Sequence, residues 1–174
     1  MLAHLTTLEH WHEFYILVGT AAAALVALLF VAVSVGAGVV TEERAAGTRT
    51  FISPVIVHFS GVLYACILGL VPSHTRLSFA VLLGGAAGVA AIYSSTIMLR
   101  VLRDKVADLA DCVFYGTAPV VAYIGAVIAA VLVLANVNGA AEVFACALVL
   151  LLLSNIRNAW DLATFIVRQQ GHPH

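Results

Sequence analysis

The chain has 174 residues, of which 63% are hydrophobic and 10% charged, and a formal net charge of −1; its mean hydropathy is +1.06. Soluble domains run at roughly 45–50% apolar and about 25% charged, so this composition excludes a soluble globular enzyme, a disordered tail and a collagen. With no basic field to recruit DNA or RNA, no nucleic-acid partner is expected. The polypeptide reads as a polytopic membrane protein whose first partner is the lipid bilayer.

A spanning helix needs roughly 20 mostly apolar residues. In chain order the candidates are residues 14–40, 51–71, 77–99, 113–134 and 143–160. The expected fold is therefore all-α, a bundle of five transmembrane helices in a single membrane domain over residues 1–174. Residues 1–13 hold no Lys or Arg, and the apolar run after them is too long for a signal-peptide core, so a retained N-terminus is expected. The first span closes on a charged turn, Thr41, Glu42, Glu43 and Arg44. After the third span, Leu99, Leu102, Val106 and Leu109 recur at helical spacing while Arg103, Asp104 and Asp108 avoid that stripe. That pattern fits a solvated helical connector or a short helix on the interface. Pro119 inside the fourth span removes a backbone hydrogen bond and predicts a kink, with Tyr115 and Thr117 at hand to serve freed carbonyls.

Lys and Arg set the direction. The N-terminal segment, residues 72–76 and residues 135–142 hold only Arg76. The opposite connections hold Arg44, Arg49, Arg100, Arg103, Lys105, Arg157 and Arg168. This asymmetry predicts the N-terminus outside and the C-terminus in the cytoplasm.

Lipid gives helices no hydrophobic reason to associate, so close packing rests on small residues. Gly19, Ala23 and Ala27 form one such stripe, Gly84 and Gly88 flatten the third helix, and Ala118, Ala122, Ala126 and Ala130 line the fourth. Three small-residue faces exceed what one contact needs, which points to a compact bundle; either every stripe is internal to one subunit, or some pack against further copies in a homo-oligomer or against a partner in a larger membrane complex. Cys66, Cys112 and Cys146 are too widely spaced for a zinc motif or a disulfide framework and read as packing residues.

At roughly 1.5 Å per residue, His58 lies roughly 10 Å from the inner end of the second span. Ser34, Ser94, Ser95, Thr96, Tyr115, Thr117, Ser154, Asn155 and Asn158 reach the same inner third. Two readings compete for this layer. One is a hydrated vestibule with His58 as its titratable or ligand-contacting group. The other is an interhelical hydrogen-bond network, with Arg157 and Asp161 paired at i,i+4 near the interface. At the outer rim Glu9, His10, His12, Glu13, His74 and Glu142 form a second polar cluster. Glu9, His12, Glu13 and His74 offer a metal-binding reading; the alternative is an interfacial collar anchored by Trp11 and Tyr15.

Only His58 is intramembrane, so a bis-imidazole haem is not supported and no cofactor is expected. No nucleophile elbow, zinc-protease, P-loop or dinucleotide motif occurs, and no enzymatic activity is expected. Residues 14–34 and the run Arg157-Asn158-Ala159-Trp160-Asp161 resemble a family of small, uncharacterised bacterial integral membrane proteins of four to five spans. The resemblance implies a bacterial inner-membrane setting and no activity. The expected function is a small channel or transporter-like protein acting as a homo-oligomer, with a non-catalytic accessory or assembly subunit as the alternative.

Overall fold

The computed structural model describes residues 11–36, 42–103 and 112–170. Among them the chain is all-helical: α1 (His12–Gly36), α2 (Glu42–Leu70), α3 (Arg76–Arg103), α4 (Ala118–Leu134) and α5 (Ala140–Gln170). A π-helical turn over Cys112–Thr117 leads into α4. Four stretches are long and apolar enough to cross a membrane by length and composition: His12–Ser34, Arg76–Arg100, Val113–Leu134 and Ala140–Thr164. The expected second span is a partial exception. Its described apolar part, Pro54–Leu70, is shorter than the roughly 20 residues a full crossing needs. The charged stretch after Thr41 continues α2 as helix from Glu42, and α5 runs ten residues past Trp160 to Gln170. The expected connector after Arg103 lies outside the described residues up to 111.

The turns follow from local chemistry. Pro72 cannot prolong α2, and Thr75 caps the next helix through Ser78 N–H to Thr75 Oγ1 at 3.1 Å. α4 ends in a Schellman arrangement: Asn136 N–H donates to Val133 O (3.2 Å) and Val137 N–H to Leu132 O (3.0 Å). Asn136 takes φ 60° there, and Gly139 at φ 92° makes the second left-handed step before α5.

α1 packs on α2 and α5, α3 lies along α4, and α5 touches α1, α2 and α4. The core runs through Tyr15, Phe59, Val62, Phe79, Leu83, Tyr123, Phe144, Leu148 and Leu151. Leu17, Phe30, Val81, Val89, Ile92 and Leu153 point outward and remain exposed. Isolated soluble chains rarely present apolar surface so widely.

The bundle has two chemically different ends. The rim end gathers the start of α1, the α2–α3 turn and the α4–α5 turn. The basic end carries Arg100, Arg103 and Arg157.

The small-residue faces divide. Ala118, Ala122, Ala126 and Ala130 are all buried, so the α4 stripe is a packing face. On α1 only Gly19 of the expected stripe is packed, with Cys66 Cβ 3.2 Å from where its own Cβ would stand. Ala23 and Ala27 are exposed, and the buried face is Tyr15, Val18, Ala22 and Leu29. Gly84 meets Ala130 Cβ at 3.3 Å, but Gly88 and Gly85 meet nothing within 4 Å. Gly88 is therefore not a packing glycine of this bundle.

A side chain at Gly84 presses on Ala130 of α4, whereas one at Gly88 enters open space. Gly84→Leu is expected to destabilise the solubilised protein by about 1–3 kcal/mol, and Gly88→Leu to leave it within about 1 kcal/mol. Thermal unfolding of both variants in detergent checks this; equal losses would contradict the packing.

Candidate functional site

The inner polar layer is held by four helices. His58 lies one turn beyond Pro54 on α2 and is 1% exposed. Its Nδ1 and the Tyr123 hydroxyl of α4 share a hydrogen bond of 3.0 Å. The Tyr123 and Tyr93 rings flank the imidazole at centroid distances of 5.6 and 6.4 Å. Gly61 makes room for this pair, because a Cβ there would stand 2.9 Å from the Tyr123 hydroxyl oxygen. Asn155 on α5 donates through Nδ2 to the carbonyl of Val55, one residue after Pro54, at 2.9 Å. Ser154 is buried and donates to Leu151 O of its own helix at 3.1 Å.

A second clasp sits one turn further toward the basic end. In a π turn each carbonyl is served by the N–H five residues on. For Phe114 that residue is Pro119, which has no N–H. Asn158 Nδ2 donates to Phe114 O at 3.0 Å, and Tyr115 returns a hydrogen bond from its hydroxyl to Asn158 O, also 3.0 Å. The Arg157 guanidinium carbon lies 4.2 Å from the Phe114 ring centroid, and Arg157 Nε is 3.7 Å from Asp161 Oδ2. The Pro119 irregularity is thus a π turn, and α5 supplies a donor to the Phe114 carbonyl.

Of the expected members of the layer, Ser34, Thr96 and Thr117 are exposed and Ser95 is half-buried; Ser34, Ser95 and Thr96 donate to Phe30 O, Ala91 O and Tyr93 O of their own helices. Among the described residues His58, Ser94, Ser154, Asn155 and Asn158 are the buried polar set. Ser94 Oγ, Asn155 Oδ1 and Asn158 Oδ1 have no hydrogen-bond partner among the described residues. Buried polar atoms are nearly always satisfied, so three exceptions in one layer call for an explanation. Tyr123 was not singled out by sequence. Its signal was its place next to Ala122, one turn after Pro119 on a small-residue face.

The rim end holds a cavity of about 400 Å³ bordered by His12, Leu68, Gly69, His74, Arg76, Phe79, Val133, Asn138, Ala140, Ala141 and Glu142. His12, His74 and Glu142 of the expected rim cluster meet there, but Glu13 does not, and Glu9 and His10 lie outside the described residues. Among the described residues no three His, Cys, Asp or Glu side chains come close enough to hold a metal ion. His74 instead pairs with Ser78 (Nδ1 to Oγ 3.4 Å). Tyr15 is not an interfacial anchor but fully buried, because Gly69 leaves space for its ring.

Below the cavity Phe144 sits between Tyr15 and Phe79, at centroid distances of 5.6 and 5.9 Å. A smaller pocket of about 60 Å³ follows, bordered by Ala65, Leu83, Ala87, Ala126, Phe144 and Leu148, reaching Gly61 and Tyr123 and partly open to the outside beside the exposed Tyr64 and Ala86. From the rim inward the sequence is cavity, aromatic layer, small apolar pocket, His58–Tyr123 and the asparagine layer. Comparison with known proteins finds no family model, curated protein or solved structure that matches the chain.

Proposed function

We propose that the chain is an integral membrane protein that passes a small solute along its bundle axis, a transporter-like function exercised as a homo-oligomer in a bacterial inner membrane. One observation carries this reading. The rim-end cavity, the Tyr15–Phe144–Phe79 layer, the small pocket and the buried polar layer are stacked within one set of helices. The aromatic layer acts as the closure, and Ser94, Asn155 and Asn158 supply unused hydrogen-bonding capacity beyond it. α2 completes a fifth crossing, since its helix extends past Pro54 back to Glu42. The Lys and Arg distribution supports an N-terminus outside and a C-terminus in the cytoplasm.

Flux of octanesulfonate and of uncharged glycerol into proteoliposomes tests the reading. Wild-type protein is expected to exceed empty vesicles for at least one solute. Phe144→Ala should raise that flux severalfold by opening the closure, and His58→Ala should change it. Wild type and Phe144→Ala both matching empty vesicles for both solutes would overturn the proposal.

The open surface at Gly85 and Gly88 favours a second reading, an accessory or assembly subunit that seats a foreign helix there. Native mass spectrometry of gently solubilised protein separates the two. A closed ring of identical subunits supports transport, and a fixed stoichiometry with foreign chains supports the accessory role.

A further inference from the structure

Among the described residues Arg76 has no ion-pair partner. It opens α3, the helix end at which the dipole disfavours a cation, and α3 has no acidic residue in its first turn. It is also the single Arg or Lys on its side of the charge map, with seven on the other. Among the described residues Arg157 and Asp161 form the one ion pair, so Arg76 has no carboxylate within ion-pair distance, although Glu142 borders the same cavity. A cation so placed, bordering a cavity, is suited to an anion that comes from elsewhere.

A second feature of the cavity points the same way. The buried residues Ala140 and Ala141 begin α5 at its wall. The first N–H groups of a helix have no acceptor within it, and Gly139 before them has no side chain with which to cap them. The remaining wall is largely apolar, including Leu68, Phe79 and Val133. About 400 Å³ falls within the range of small-molecule sites.

We propose that the rim-end cavity binds an amphiphile with an anionic head, held by Arg76 and the amides that open α5, its apolar body lying against Leu68, Phe79 and Val133. The inference deepens the transport reading and rests on it only for the cavity's role as an entrance. The same chemistry is offered by a phospholipid of the outer leaflet and by a free carboxylate or sulfonate amphiphile.

Titration calorimetry on the full chain in nonionic detergent tests it, with octanesulfonate, octyltrimethylammonium and octyl glucoside as probes sharing one tail. Octanesulfonate is expected to bind saturably, at least about tenfold more tightly than the other two. Arg76→Gln should weaken it about tenfold or more, a loss of the size a charge-assisted hydrogen bond supplies. Arg76→Lys should recover part of the affinity, and Arg100→Gln at the opposite end should change nothing. Equal binding of the three probes, or unchanged octanesulfonate affinity in Arg76→Gln, would overturn the site. A phosphatidylglycerol that copurifies with wild type, is displaced by octanesulfonate and is lost in Arg76→Gln assigns the site to bilayer lipid. Arg76-dependent binding without retained lipid assigns it to a free amphiphile. Arg76-dependent binding without any flux would overturn transport and leave the site standing; flux without such binding would overturn the site alone.

Discussion

Gly69→Leu is expected to be the most damaging single change in the rim half of the bundle, costing about 3 kcal/mol or more. A Cβ at Gly69 would stand 2.9 Å from two ring carbons of Tyr15 and 3.1 Å from a third. The ring cannot swing aside, because Tyr15 is fully buried and packs on Phe14 and Phe144 at 5.6 Å each. Cores resist added volume because they are already close-packed. Removing the ring should relieve the conflict. Tyr15→Ala alone leaves a cavity and costs about 3–5 kcal/mol, yet in the Gly69→Leu background it should cost much less. Chemical or thermal unfolding of the four proteins in detergent gives the coupling directly. Strictly additive losses would show that Gly69 and Tyr15 do not share the space assigned to them.

The second large effect is expected at Asn158. Asn158→Leu removes a donor to Phe114 O and leaves that half-buried carbonyl opposite a proline. Interhelical hydrogen bonds in membranes average about 0.6 kcal/mol, but stranding a buried polar group costs about 1–3 kcal/mol. The second effect dominates here because Pro119 has no N–H to take over, so about 2 kcal/mol is expected. Pro119→Ala restores an N–H at that position. Asn158→Leu should therefore cost distinctly less in a Pro119→Ala background, and the same unfolding measurement reads the difference. An identical cost in both backgrounds would mean that the proline and the asparagine are not linked. Tyr115→Phe, which removes only the returning hydroxyl at 3.0 Å, should cost about 1 kcal/mol.

Both effects depend on partners that are far apart in the chain, which bears on how legible the protein was from sequence. Composition alone dictated a helical protein with apolar segments of crossing length, since backbone groups in an apolar medium must be satisfied within their own helix. The alanines of α4 were legible because four of them recur at one spacing and Pro119 marks where the helix changes register. His58, Asn155 and Asn158 stood out for being polar inside apolar runs, and burying them requires hydrogen-bond partners. Those partners were not legible. The donor for the Phe114 carbonyl lies 44 residues away, and the group beside His58 lies 65 residues away.

On α1 the run Ala21–Ala24 is apolar all round, so periodicity could not distinguish the buried Ala22 from the exposed Ala23. A glycine's role is equally undetermined by spacing, because what matters is the side chain standing opposite. Tyr15 stands opposite Gly69 and Tyr123 opposite Gly61, while Gly88 has no neighbour within 4 Å. The sequence by itself thus determined the helical class, the apolar segments and the polar residues that had to be accommodated. Only the tertiary structure decided which glycines admit a neighbouring ring, which asparagine serves the carbonyl that Pro119 cannot, and that Arg76 and Glu142 border one cavity. Each of these depends on groups brought together from separate helix ends, a proximity that no local pattern of residues encodes.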